Sequence, residues 1–173
     1  IESRLPDSLH AVLTDHKEAI EITTHEDTKN ELIKEVAYQW NQIGFPEIAA
    51  FYRLQLKVED NSLKMKKATA DYLLNGFKSV KEMEGFNSAG IKAELADKAI
   101  NYYNEILIAN EADLDVKAQL AICFADGKGE VMKGVVMLKE VVLKEPEHII
   151  ANFELGRLSI ISAQFDKAID RFK

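Results

Sequence analysis

Small residues recur at a nearly constant interval in the second half of the chain, and this recurrence most constrains the fold. Ala99, Gly134 and Ala168 are separated by 35 and then 34 residues, and each lies in a segment whose apolar residues follow helical spacing. A period of roughly 20 to 50 residues is typical of stacked repeats. We therefore expect a small side chain where the two helices of each unit approach closely.

Apolar periodicity predicts helices along the whole chain, joined by short connections. The first is expected to begin at Leu5-Pro6-Asp7-Ser8, with Leu9, Val12, Leu13 and Ile20 on one stripe. N-cap candidates for the next helix lie within the polar break 23–28. Further helices are predicted up to Ile43, from Pro46 through Leu56, from Ser62 through Phe77, over 91–109, 113–126, 131–144 and 147–162, and from 165 onward. Breaks are expected at 59–62 and 85–90, and short connections make successive helices antiparallel neighbours.

Two stretches carry a family resemblance. The pattern Asn152-x2-Leu155-Gly156-x2-Ser159, followed by Ala168-x3-Phe172, resembles the tetratricopeptide repeat (TPR). The pattern Ile33-x2-Val36-Ala37-x2-Trp40, followed by Gly44 and Ala49, is similar, and Pro146 stands where that family closes a unit. The resemblance implies an all-α, right-handed superhelix of antiparallel helix pairs.

The same resemblance implies a division of the chain. Residues 1–27 are expected to form an N-terminal helix packed on the array. The repeats are predicted at about 28–61, 62–112, 113–146 and 147–173. The second is irregular because 50 residues separate Ala49 from Ala99, and we interpret it as one hairpin with lengthened helices.

The last predicted helix carries Ile169 and Phe172 on its apolar stripe and has no capping residue before Lys173. One repeat unit cannot bury its apolar face alone. The sequence therefore predicts that this unit is truncated, so that the array continues or its edge is shielded, for example by self-association.

Composition and charge limit the classes of partner. The chain has 22 Lys and Arg against 29 Asp and Glu, a net charge of −7, and no basic stretch interleaved with aromatics. Nucleic acid is therefore not expected as a partner. The single cysteine fits a cytoplasmic location by default. The sequence starts at Ile1, so export or membrane anchoring through a preceding segment stays open.

The sequence contains no motif typical of catalysis or metal binding. The histidines, including His148, are interpreted as solvated surface residues, and Glu21 and His25 would share a face only if one helix contained both. The segment Asp126-Gly127-Lys128-Gly129 lacks the pattern of a phosphate loop and is interpreted as a turn. Trp40 and the Tyr102-Tyr103 pair are interpreted as core residues, as is Cys123, a small hydrophobe in a helix hairpin. We expect no cofactor, no small-molecule substrate and no enzymatic activity.

In the TPR family, the first helix of each unit lines a concave groove that receives a peptide or a partner helix. The resemblance places nine residues on that lining: Lys34, Tyr38 and Asn41, then Gln119, Cys123 and Asp126, then Phe153, Arg157 and Ile160. The register of the helix over 62–77 is ambiguous, so the resemblance places none of its residues on the lining. Lys34 and Arg157 stand where some members of the family hold a C-terminal carboxylate. Tyr38 and Phe153 replace the polar partners there, so such a clamp is not expected.

Three hypotheses of function follow. The first is a non-enzymatic scaffold that binds a peptide or partner helix in its groove. The second is a helical regulatory or anchoring segment of a larger protein, and the third is a helical-bundle enzyme with a carboxylate and histidine site. The sequence favours the first and does not identify the partner.

Overall fold

The computed structural model describes residues 7–56, 62–80 and 88–173. Within these ranges the chain forms nine α-helices and no strand. They are α1 (Asp7–Ile22), α2 (Glu26–Gln42), α3 (Pro46–Arg53), α4 (Leu63–Ser79), α5 (Ser88–Ala109), α6 (Leu114–Ile122), α7 (Val131–Lys144), α8 (Ile149–Ile161) and α9 (Phe165–Arg171). The predicted helix start at Leu5-Pro6, the break at 59–61 and the loop at 85–87 lie outside the described residues, as do the side chains of Leu9, Val12 and Leu13.

The helices pack in consecutive pairs. The pairs are α2 with α3, α4 with α5, α6 with α7 and α8 with α9, while α1 packs against α2. Neighbouring pairs are in contact through α3 and α4, α5 and α6, and α7 and α8. This confirms the all-α solenoid of stacked helix pairs that the sequence predicts.

Three apolar clusters run along the stack, and each is shared between adjacent helices. The first lies around Ile33, Val36 and Trp40 of α2, the second around Leu73, Phe77 and Tyr103, and the third around Leu138, Val141 and Leu155. Trp40 and Tyr103 are almost completely buried and Tyr102 packs against the second cluster, which confirms their interpretation as core residues. Burial of shared apolar surface is thus what joins each pair to the next.

Several helix ends differ from the prediction. α3 ends at Arg53, not Leu56, because the backbone N–H groups of Gln55 and Leu56 donate to carbonyls only three residues back, which closes the helix in a tighter turn. α5 begins at Ser88, three residues early. The N-cap of α2 is His25, within the predicted break 23–28, but its side chain makes no capping hydrogen bond. Because α1 ends at Ile22, Glu21 and His25 do not share a helix.

The small residues predicted at helix contacts do lie there. A Cβ atom added at Gly134 would stand 2.6 Å from the carbonyl oxygen of Ala121 and 2.8 Å from the Cβ of Ala125. One added at Gly156 would collide with the ring of Phe172, and Ala168 is buried. Ile169, however, is mostly exposed, which corrects its predicted packing within the final pair.

His148 is buried at the start of α8, which corrects its interpretation as a solvated residue. Its Nδ1 accepts a hydrogen bond from the backbone N–H of Ala151 at 3.3 Å, and its Nε2 lies 3.2 Å from Oδ1 of Asp115 in α6. The imidazole therefore caps α8 and links it to the preceding pair, while Pro146 and Glu147 form a turn outside the helix.

We expect His148→Ala to lower the free energy of unfolding by about 1–2 kcal/mol, because an N-cap bond is lost. The matched control is His25→Ala, since His25 occupies the same cap position on α2 but makes no capping hydrogen bond. Thermal melts followed by circular dichroism measure both. Equal melting temperatures for the two variants would contradict the capping role.

Candidate functional site

Side chains from α4, α6 and α8 meet on one side of the stack, which we call the inner face. The Nζ of Lys67 in α4 donates to Oε1 of Gln119 in α6 at 3.3 Å. The Nζ of Lys78, also in α4, donates to Oε1 of Glu154 in α8 at 3.4 Å. The inner face is therefore built from the first helices of three successive pairs.

One network on this face is centred on Asp71. Its Oδ2 lies 3.0 Å from Nζ of Lys67, and its Oδ1 accepts a hydrogen bond of 2.7 Å from the hydroxyl of Tyr103. Burial, and then the nearby Asp71 carboxylate, raise the pKa of Tyr103 well above its usual range. The phenol therefore stays protonated and acts as a donor, which fixes α5 against α4 behind the inner face.

A second network joins four charged residues. Nη2 of Arg157 donates to both carboxylate oxygens of Asp126, at 2.7 and 2.9 Å, and its Nε donates to Oε2 of Glu154 at 2.6 Å. Lys78 completes the group on the other oxygen of Glu154. Burial works against the charge of Arg157, but the hydrogen bonds to Asp126 and Glu154 outweigh it and raise its pKa. Two cations and two anions thus balance one another.

A change of backbone geometry brings Asp126 into this network. After Ile122, α6 continues as one π-helical turn over Cys123–Gly127, in place of the uniform helix predicted over 113–126. The wider turn ends in a bend at Lys128 and Gly129, and Lys128 pairs with Asp97 of α5. Single π turns within helices are often found at functional sites.

Five other predicted groove residues lie on two helices, α8 and α2. On α8, Phe153 and Ile160 are 56% and 50% exposed and lie on either side of Arg157 along the helix. On α2, Tyr38 is 53% exposed, Asn41 is exposed, and Lys34 pairs with Glu31 at 2.6 Å. That these three α2 residues line the same groove as the α8 residues stays a prediction.

Cys123 does not belong to the groove surface. It is fully buried in the second cluster, so its placement on the lining is wrong, while its interpretation as a packed small hydrophobe is correct. Burial, and then Asp126, raise the pKa of its thiol well above the usual range. The protonated and inaccessible thiol is unsuited to nucleophilic chemistry.

Three residues of the inner face come from α4 and were not predicted from the sequence: Lys67, Asp71 and Lys78. A signal was present, because Ala70 follows Ala37 by 33 residues and both are fully buried. That spacing would have placed Lys67 at the position equivalent to Lys34. Glu154 was missed because a glutamate between Phe153 and Leu155 carries no sign that it is almost completely buried.

The described ranges offer no arrangement for metal chemistry and no spanning segment. Among these residues, no three His, Cys, Asp or Glu side chains group as metal ligands would. Nor does any helix there have both the length and the apolar character needed to cross a bilayer.

The fold defines a class, a TPR-like helical solenoid. No protein-family model and no curated protein matches the chain. Among solved structures it is similar to MamA. The MamA RS-1 ArsTM double mutant aligns with 17% identity and a TM-score of 0.56, over 95% of this chain and 82% of that one. Two further crystal structures of MamA align over 95% of this chain, with 15% identity, TM-scores of 0.52 and 0.53, and 84% and 79% of their own chains covered. At this identity the likeness concerns the fold.

Proposed function

We propose that the chain is a non-enzymatic scaffold that binds a peptide or a partner helix on its inner face. The observation that carries the proposal is the position of Phe153 and Ile160. Both are large apolar side chains, about half exposed, on a first helix whose neighbouring charged groups are already paired with one another. Exposed apolar side chains beside satisfied polar groups suit recognition of an amphipathic or extended segment.

The proposal assigns the remaining predicted lining residues to the same groove. Tyr38, Asn41 and Lys34 would extend it along α2, and Gln119 and Asp126 would form its centre. Arg157 and Asp126 hold the groove in shape through their ion pair, so their contribution is to position the lining. The division into an N-terminal helix, 1–27, and repeats at 28–61, 62–112, 113–146 and 147–173 belongs to this proposal.

The proposal also covers the class of partner and self-association. We expect a protein or peptide partner and neither nucleic acid nor a small-molecule substrate. Ile161, Phe165, Ile169 and Phe172 are at least half exposed on the last helix pair. Self-association through that edge therefore stays a prediction, since large exposed apolar patches tend to be covered.

Photo-crosslinking tests the groove directly. A benzophenone side chain at Tyr38 is expected to capture a protein partner in cells that make this protein, whereas one at Val136 is not, since Val136 is exposed on the second helix α7. Phe153→Ser with Ile160→Ser should strongly reduce the adduct formed at Tyr38, because apolar contact area is lost.

The matched control is Met132→Ser with Val136→Ser, which removes two exposed apolar side chains from α7. This control should leave the adduct unchanged. Equal capture at Tyr38 and Val136, or equal loss with both double variants, would contradict binding in a groove that α2 and α8 both line.

A further inference from the structure

The ion pair between Lys78 and Glu154 joins two helix pairs that are not neighbours in the stack, because the α6–α7 pair lies between them. Lys78 belongs to α4, Glu154 belongs to α8, and 76 residues separate them in sequence. In a solenoid each unit ordinarily contacts only its neighbours. A direct contact between the α4–α5 pair and the α8–α9 pair therefore spans the inner face instead of following the stack.

Because Glu154 is buried, losing this contact costs more free energy than losing an ordinary surface ion pair. Glu154 is only 3% exposed, and a buried carboxylate is costly unless it is paired and hydrogen-bonded. Its two oxygens are divided between Lys78 and Arg157. Arg157 is in turn shared with Asp126, so without Lys78 two carboxylates would share one guanidinium.

We propose that Lys78 and Glu154 form a clasp that sets the separation of α4 and α8 and so the width of the inner face. With the clasp closed, the four charges of Lys78, Asp126, Glu154 and Arg157 balance. Without it, the excess negative charge favours entry of water and separation of α8 from α4. The clasp would thus control how wide a segment the inner face admits.

The closed clasp is a property of the free protein, so its test does not depend on the proposed function. Spin labels at Asn75 of α4 and Ile161 of α8, both exposed, report the separation by pulsed electron spin resonance in a Cys123→Ala background. We expect Lys78→Met to shift the distance distribution to longer values, by more than the width of the parent distribution. Lys78→Arg keeps the charge and should leave the distribution in place.

Lys34→Met is the matched control, because it removes a lysine from an ion pair within a single helix, Lys34 with Glu31. It should change neither the distance nor the helicity. An unchanged distribution in Lys78→Met would overturn the clasp. So would equal shifts in Lys78→Met and Lys78→Arg, since these would show that charge at position 78 is irrelevant. Because Lys78 is exposed, both variants should fold, and circular dichroism verifies this.

Discussion

Gly134→Leu is expected to destabilise the protein by about 3 kcal/mol, at the upper end of the cost of overpacking. The reason is that the atoms facing Gly134 include backbone atoms, the carbonyl oxygen of Ala121 in α6 and the amide nitrogen of Ala125 in the π turn. Backbone cannot rotate away as a side chain can, so α6 and α7 must separate. For a chain of this length the melting temperature should fall by roughly 6–12 °C.

Two smaller substitutions separate crowding from helix propensity. Alanine is favoured over glycine in a helix by about 1 kcal/mol, which partly offsets the collision in Gly134→Ala. In Gly156→Ala the colliding group is the half-exposed ring of Phe172, the end of a side chain that can shift on its contact with Phe153, so that variant should be less destabilised than Gly134→Ala. If Gly134→Leu melted at the parent temperature, the close contact of α6 and α7 would be refuted.

Arg157→Met is expected to destabilise the protein by about 3 kcal/mol, the low end for removing one partner of a buried pair. The substitution leaves Glu154 almost completely buried with Lys78 as its remaining cation, and Asp126 loses both of its hydrogen bonds from Arg157. Urea denaturation at neutral pH measures the effect.

A double-mutant cycle assigns that loss to the network. Glu154→Gln removes the buried charge, so Arg157→Met should cost less in a Glu154→Gln background than alone. The control, Arg171→Met, removes an arginine that donates at 3.0 Å to the neutral side chain of Asn152, and its effect should not depend on position 154. Strict additivity of Arg157→Met and Glu154→Gln would mean that the ion pair contributes nothing to stability.

The charge network on the inner face limits which residues can be substituted to test binding in the groove. The TPR resemblance places Arg157 on the predicted groove lining, which makes it a candidate for substitution. Because Arg157 holds two carboxylates, its loss would combine a structural defect with any loss of binding. Phe153 and Ile160 are better targets, since their exposed surfaces can change without removing a charge from the network.

The sequence by itself determined the helices, their stacking in pairs and the positions of close approach. These depend on local spacing: a period near 3.6 residues places Ile33, Val36 and Trp40 on one buried stripe, and a period near 34 residues marks Gly134 and Ala168. Both periods can be recognised in the sequence alone, because one involves residues close together in the chain and the other a constant repeat length.

The tertiary structure alone decided which charged and polar side chains meet. The π turn shifts the helical register and brings Asp126 to Arg157, while Cys123 of the same turn is buried. The burial of His148 and of Glu154, and the contact from Lys78 across one helix pair, depend on how whole helices are rotated and spaced. Periodicity fixes which side of a helix is apolar, but the partner of each polar group depends on the summed geometry of every intervening turn.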